Sequence, residues 1–301
     1  MDDSREPAGS RDHLRPLRTR LQEARRRQGA PWEIVERDYL LSWILAGISQ
    51  TPPLNDKLVF KGGTALKKCY FGDYRFSEDL DFSALDGIPR GEALEPLIEQ
   101  ACQAAANSLD EYASTEIVSE RYTEREPHPG GQEAFTIRAQ FPWHNQPATR
   151  VRIEITVDEP VLRPVHLRRV SHEYGEPLSV DIQVYSLEEV VAEKLRSILQ
   201  QTEIMERRGW SRSRARDYYD LWRILTEYRD SIDVHGFSAL LHQKCAVRGV
   251  AFNAWGDFFS APMLALVAGT WENSLGRLVT ELPSFDTVIS LLRPEVENLL
   301  N

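Results

Sequence analysis

A chain of 301 residues, 42% hydrophobic and 27% charged, can bury a substantial core, and its length suits two domains or one domain with a large extension. Its formal charge of −10 argues against a general, charge-driven nucleic-acid binder. No apolar run approaches a membrane span and the N-terminus lacks a signal-peptide core, so no membrane partner and a cytoplasmic location are expected.

Residues 1–30 read as an Arg-rich polar arm (Arg5, Arg11, Arg15, Arg18, Arg20, Arg25, Arg26, Arg27), solvated, partly disordered and helical in its second half. Apolar residues at helical spacing predict a helix over 32–49, stopped by Pro52 and Pro53. A short buried strand over 58–60 turns at Gly62-Gly63 into a helix reaching Tyr70, a second strand covers 79–84, and a helix follows near 90–112. The middle is β-rich, with strands near 115–125 and 133–142 around Pro127, Pro129, Gly130 and Gly131, and another near 178–184. Val151, Ile153, Ile155 and Val157 give the cleanest alternation, opposed by Arg152, Glu154, Thr156 and Asp158. Ser186 to Glu189 reads as a capping box opening a helix to about Gln200, a second helix covers 212–228, and more helices fill 234–301. The expected organisation is the arm 1–30, an α/β domain over 31–184 and a helical domain over 185–301. Cys69, Cys102 and Cys245 share no short spacing, and the histidines, among them His128, His144, His166 and His172, show no metal-ligand pattern.

Two constellations carry chemistry. In the first, Asp79 and Asp81 point to one face of a strand while Leu80 and Phe82 point to the other. Gly62 and Gly63, without Cβ atoms, let a phosphate approach backbone N–H groups at a helix start, with Lys61 and Thr64 beside them and Arg75 and Ser77 crowding the same place. Adjacent carboxylates repel unless a cation lies between them; the bland alternative is a solvated strand edge. Strand phase makes Glu154 the candidate third carboxylate, as metal ligand or proton acceptor, with Asp158 on the same face nearer the strand end; a surface glutamate without a role is the competing reading.

In the second, Lys194 lies in one helix and Arg212, Arg216, Asp217 and Asp220 in the next. Arg212 and Arg216 are four apart and Asp217 and Asp220 three apart, which places each pair on adjacent turns of one face. Lysine and arginine suit a triphosphate or its leaving pyrophosphate, and Asp217 can orient Lys194. An ordinary helix pair held by salt bridges has the same spacing. A wider basic cluster adds Arg207, Arg208 and Arg214, while Trp210, Tyr218, Tyr219 and Trp222 read either as base-stacking groups or as core packing.

The string GGTALKKCY…RFSEDLDFS, with a later lysine and R-x-x-x-R-D-x-x-D-L, resembles the AbiEii/MenT nucleotidyltransferase toxins of the DNA polymerase β-like superfamily, over about 35–225. The resemblance implies an α/β (α+β) nucleotidyltransferase core with a mixed sheet, followed by a helical C-terminal domain. It also implies metal-assisted transfer of NMP from an NTP, with Mg²⁺ or Mn²⁺, to the 3′ acceptor end of tRNA, which blocks translation, and a cognate antitoxin encoded alongside. Gly62, Gly63 and Thr64 match the phosphate-binding turn, Arg75 and Ser77 the R-x-S, Asp79 and Asp81 the metal-binding pair, Lys194 the third motif, and Arg212, Arg216, Asp217 and Asp220 the fourth. Lys194 and Asp217 would be essential. The separation from Gly63 to Asp79 exceeds that of the superfamily's compact signature. Transfer to a small molecule or a protein hydroxyl is the alternative activity. A silent regulator that keeps the fold is the alternative class, opposed by the intact motif set.

Overall fold

The computed structural model describes residues 14–122 and 131–300. Arg5, Arg11, His128, Pro127, Pro129 and Gly130 lie outside them. Helices α1 (Leu17–Gln28), α2 (Trp32–Ser49) and the short α3 (Leu54–Lys57) lead into strand β1 (Leu58–Lys61), helix α4 (Gly62–Ala65) and strand β2 (Asp79–Ala84). Helix α5 (Glu95–Asp110) then precedes β3 (Glu116–Arg121), β4 (Gln132–Gln140), β5 (Thr149–Thr156), β6 (His166–Arg169) and β7 (Asp181–Val184). Helices α6 (Leu187–Arg208), α7 (Ala215–Glu227), α8 (Phe237–Val247), α9 (Ala261–Leu275) and α10 (Phe285–Leu300) complete the chain.

The strands form one mixed sheet in the order β3-β4-β5-β2-β1-β7-β6. β1 pairs antiparallel with β2 and parallel with β7, and β2 pairs parallel with β5. Alternation divides each strand between two environments: Leu58, Phe60, Leu80, Phe82, Ile153 and Ile155 enter a core with α2 and α5, and Val59 enters a second core built from α6 to α10. α2 is buried around most of its circumference, which suits its nearly unbroken apolar run from Tyr39 to Ile48.

The structure departs from the sequence expectations at several points. The described part of the Arg-rich arm is docked, not solvated: Leu17, Leu21 and Ala24 form a buried stripe along α1, and Arg20 donates to Tyr174 O at 2.5 Å and pairs with buried Glu176. The helix after the Gly-Gly turn widens into π-type turns over Leu66–Phe71. β6 was not anticipated; all four of its residues are exposed, so no buried face marks it in the sequence. The capping box is half formed: Glu189 N–H donates to Ser186 Oγ at 3.3 Å, but the Glu189 carboxylate instead accepts from the N–H groups of Leu162 and Arg163. α7 begins only at Ala215, so Arg212 precedes it and does not share a helical face with Arg216. Among the described residues no helix is long and apolar enough to cross a membrane.

Candidate active site

The turn between β1 and α4 is built around two bare backbones. Gly62 has φ +75°, and a Cβ there would lie 2.3 Å from Asp81 Oδ2; a Cβ on Gly63 would lie 2.5 Å from Arg75 Nη2 and 3.1 Å from Ser77 Oγ. Glycine is required at both positions by close approach of functional side chains, and at Gly62 by backbone conformation as well. Thr64 Oγ1 donates to Asp79 O at 2.5 Å, tying the turn to the start of β2. That hydroxyl is fully buried, so the phosphate role expected of Thr64 is corrected to one of clamping the turn.

Strand register places the carboxylates. Lys61 stands opposite Asp81 across β1 and β2, and Asp81 stands opposite Glu154 across β2 and β5, with Asp79 opposite Arg152. Burial, then the charges of Glu154 and Asp79, push the Asp81 carboxyl up to about 7, while Lys61 and Lys194 pull the other way. Asp79 is likewise raised by burial, Glu154 and Glu78. Arg152 Nη1 donates to Glu154 Oε1 at 3.1 Å, and its guanidinium lies 4.2 Å from the Tyr122 ring centroid. Asp158 is elsewhere: β5 ends at Thr156, and Asp158 is over half exposed and pairs with Arg90 at 3.1 Å. Of the two candidates for the third carboxylate, only Glu154 lines the cleft with Asp79 and Asp81.

Helices α6 and α7 bring the second constellation onto this face. Lys194 Nζ donates to Asp217 Oδ1 at 3.1 Å and to Asp220 Oδ2 at 2.6 Å. Asp220 also receives Arg75 Nε and Nη2, each at 2.6 Å. Burial opposes the charge of Asp220, but Arg75 and Lys194 outweigh it and hold the carboxyl down at about 2. With no exposed surface and both oxygens engaged, Asp220 cannot meet a nucleotide; it is corrected to a buried anchor for Arg75 and Lys194. Arg216 Nη2 lies 3.3 Å from Glu78 Oε2.

These groups surround a cleft of about 1060 Å³ lined by Lys61, Gly62, Gly63, Arg75, Ser77, Asp79, Asp81, Glu154, Lys194, Arg212, Arg216 and Asp217. Basic side chains outnumber acidic ones along its lining, which localises positive charge in an acidic chain. Several lining residues had no role assigned from sequence. Arg152 was visible only as a member of the polar face of β5. Glu193, which accepts from Lys61 Nζ at 3.2 Å, carried no signal, since its partner lies 132 positions away.

The donor set suits a hard divalent cation: half-buried carboxylate oxygens, mutually repelling, beside a turn that admits phosphate. Among the described residues no group of three or more His, Cys, Asp or Glu side chains is arranged to hold a metal ion by itself. A hard divalent cation can also be held by one or two carboxylates together with substrate phosphates and water. Asp79 and Asp81 would hold it.

The chain matches the family described as "Nucleotidyl transferase AbiEii toxin, Type IV TA system" over residues 43–299. Among solved structures it is similar to MenT4, a nucleotidyltransferase toxin from Mycobacterium tuberculosis H37Rv, with a TM-score of 0.62 and 21% identity, covering 96% of this chain and 90% of that one. No curated protein matches the chain.

Proposed function

The chain belongs to the AbiEii nucleotidyltransferase toxin family, whose members are NTP-using transferases, and on that premise we propose that it transfers NMP from an NTP to the 3′ acceptor end of tRNA. The observation that carries this reading is the row Lys61–Asp81–Glu154 across three adjacent strands, facing the bare Gly62-Gly63 turn.

The triphosphate lies against the Gly62-Gly63 backbone, where no Cβ obstructs it, with Lys61, Arg75 and Lys194 around its charge. Arg75 and Lys194 are fixed in place by Asp220 before substrate arrives, so little reorganisation is spent at the moment of reaction. The acceptor hydroxyl forms a bond to the α-phosphorus as the bond to the β-phosphate oxygen breaks, and pyrophosphate leaves toward Lys194 and Arg216. Glu154, opposite Asp81, would accept the hydroxyl's proton or join Asp79 and Asp81 as a ligand. A divalent ion, when bound, supplies charge neutralisation between the carboxylates and the phosphates.

The basic lining of the cleft favours a polyanionic acceptor over a neutral small molecule. As the toxin half of a type IV system, the protein would be accompanied by an antitoxin and would act in the cytoplasm. The test is incubation of the purified protein with Mg²⁺, each α-³²P-labelled NTP in turn and total tRNA, beside Asp81→Ala and Lys194→Ala. Label on tRNA that disappears in both variants supports the proposal. Label on protein or on neither macromolecule overturns the acceptor assignment.

A further inference from the structure

The cleft continues past the carboxylates to a segment that the transfer chemistry does not use. α6 is capped at its C-terminus by Gly209, whose φ of +75° reverses the chain and whose N–H donates to Met205 O at 2.7 Å. Immediately after it, Trp210 stands 62% exposed on the cleft lining. Its loop is anchored: Arg212 N–H donates to Gln201 Oε1 at 3.1 Å, Ser213 Oγ lies 2.6 Å from Thr270 Oγ1, and Ala215 N–H donates to Ser213 Oγ at 3.3 Å. A large indole is thus held in water by a fixed loop and forgoes the burial that a core position would give it. Arg207 and Arg212 flank it, both exposed and neither paired with an acidic side chain among the described residues. Arg214 and Arg216, by contrast, are committed to Asp217 and Glu78.

A flat apolar ring between uncommitted guanidinium groups matches a ligand that alternates flat bases with phosphates, which is a single strand of nucleic acid. The same cleft, about 1060 Å³ and at the top of the roughly 300–1,000 Å³ range of single-ligand pockets, carries the carboxylates, Arg207, Trp210 and Arg212 on its lining. We propose that Trp210, with Arg207 and Arg212, is the platform on which the unpaired bases at the 3′ end of the acceptor stack. The assignment rests on the nucleotidyl-transfer reading above and names how that site holds its acceptor.

The test combines binding and kinetics. A fluorescently labelled single-stranded oligoribonucleotide is titrated, without NTP, with the wild type, Trp210→Ala, Trp210→Phe, Arg207→Gln and Arg212→Gln. Trp210→Ala is expected to weaken binding about 10-fold, and Trp210→Phe, which keeps a stacking face, to recover most of it. Each arginine variant is expected to lower the slope of log Kd against log salt by about 0.7. In transfer to tRNA, Trp210→Ala should raise KM for tRNA and leave KM for NTP unchanged. Equal oligonucleotide affinity for Trp210→Ala and wild type overturns the platform, whether or not tRNA is labelled, and so does an equal rise in both KM values. Trp210-dependent binding by a wild type that labels no tRNA supports the platform and overturns the acceptor reading alone. A wild type that binds no oligonucleotide and labels protein overturns both.

Discussion

Arg75 and Asp220 form a two-point ion pair, 2.6 Å at each contact, with side chains only 3% and 0% exposed. The second oxygen of Asp220 is shared with Lys194 at 2.6 Å, so one carboxylate holds two cations at the back of the cleft, with Asp217 on Lys194 as the second counter-charge. Removing it strands the buried guanidinium of Arg75 and leaves Lys194 with Asp217 alone. Asp220→Ala is expected to cost about 3–5 kcal/mol in urea unfolding, the range for breaking a buried pair from one side, and to abolish transfer. Asp220→Glu, which keeps the charge but overfills the site, should retain more stability. An alanine variant within 1 kcal/mol of wild type, on the order of a surface pair, would show that the pair is not a structural anchor.

The same carboxylate gives an acid limit to stability. Its ordinary value of 3.8 is lowered to about 2 in the folded protein. A depressed folded value means that the stabilisation is fully present above the unfolded value and is lost as pH falls through the folded one. About 2 kcal/mol should therefore disappear between pH 4 and pH 2. Asp220→Asn lacks this group, so the stability gap between wild type and variant should narrow over that window. A gap that stays constant from pH 5 to pH 2 sinks the assignment.

Asp81 has the opposite sign. Its carboxyl is raised from 3.8 to about 7, so its ionisation works against folding as pH rises above the unfolded value, and the full penalty is reached above about 7. Asp81→Asn is expected to abolish transfer and yet to stabilise the protein, measured at pH 8 without divalent ion, by up to ~4 kcal/mol, or roughly 6 °C in Tm. At pH 5 the gain should fall to less than half of this, and it should vanish only below the unfolded value of 3.8. Loss of activity with lower or pH-independent stability would show that Asp81 is not held in a strained, like-charged setting.

Glu154 and Asp158 separate cleanly in the folded protein. Glu154→Gln is expected to lower the transfer rate by roughly 10²–10⁴-fold, and Asp158→Asn, at an exposed pair with Arg90, to stay within about 3-fold of wild type, as surface pairs contribute little. Single-turnover rates at saturating NTP would check both. The reverse order would move the third carboxylate to Asp158.

Most of this site is written locally. Asp79 and Asp81 share a face because strands alternate every second residue, and the same phase rule places Glu154 on their side. The capping Ser186 opens α6 where its hydroxyl predicts. What escaped the sequence depends on contacts between distant segments. Glu189 leaves its expected cap because Leu162, Arg163 and Lys244 offer buried partners. Asp220 looks like a site residue until Arg75, 145 positions away, is seen to occupy it. In α1, the Leu17, Leu21 and Ala24 stripe lies among so many arginines that composition masks the period, and the buried acceptor for Arg20, Glu176, is supplied from the distant segment between β6 and β7.

Glycine to alanine inside a helix ordinarily stabilises by roughly 1 kcal/mol, and two helical glycines here should respond with opposite signs. Gly269, in α9, has nothing within 4 Å of an added Cβ, so Gly269→Ala should raise stability by about that amount and leave transfer unchanged. Gly63 is different. Its added methyl would sit 2.5 Å from Arg75 Nη2, and Arg75 cannot swing away because Asp220 grips it at two points. Gly63→Ala should therefore destabilise by about 1–3 kcal/mol, the cost of overpacking, and raise KM for NTP, since Arg75 and the phosphate-facing backbone are displaced together. Urea unfolding and NTP saturation curves of the two variants check this as a pair. If both gain stability, the Gly62-Gly63 turn is open to side chains, and the argument that its bare backbone is reserved for a phosphate fails.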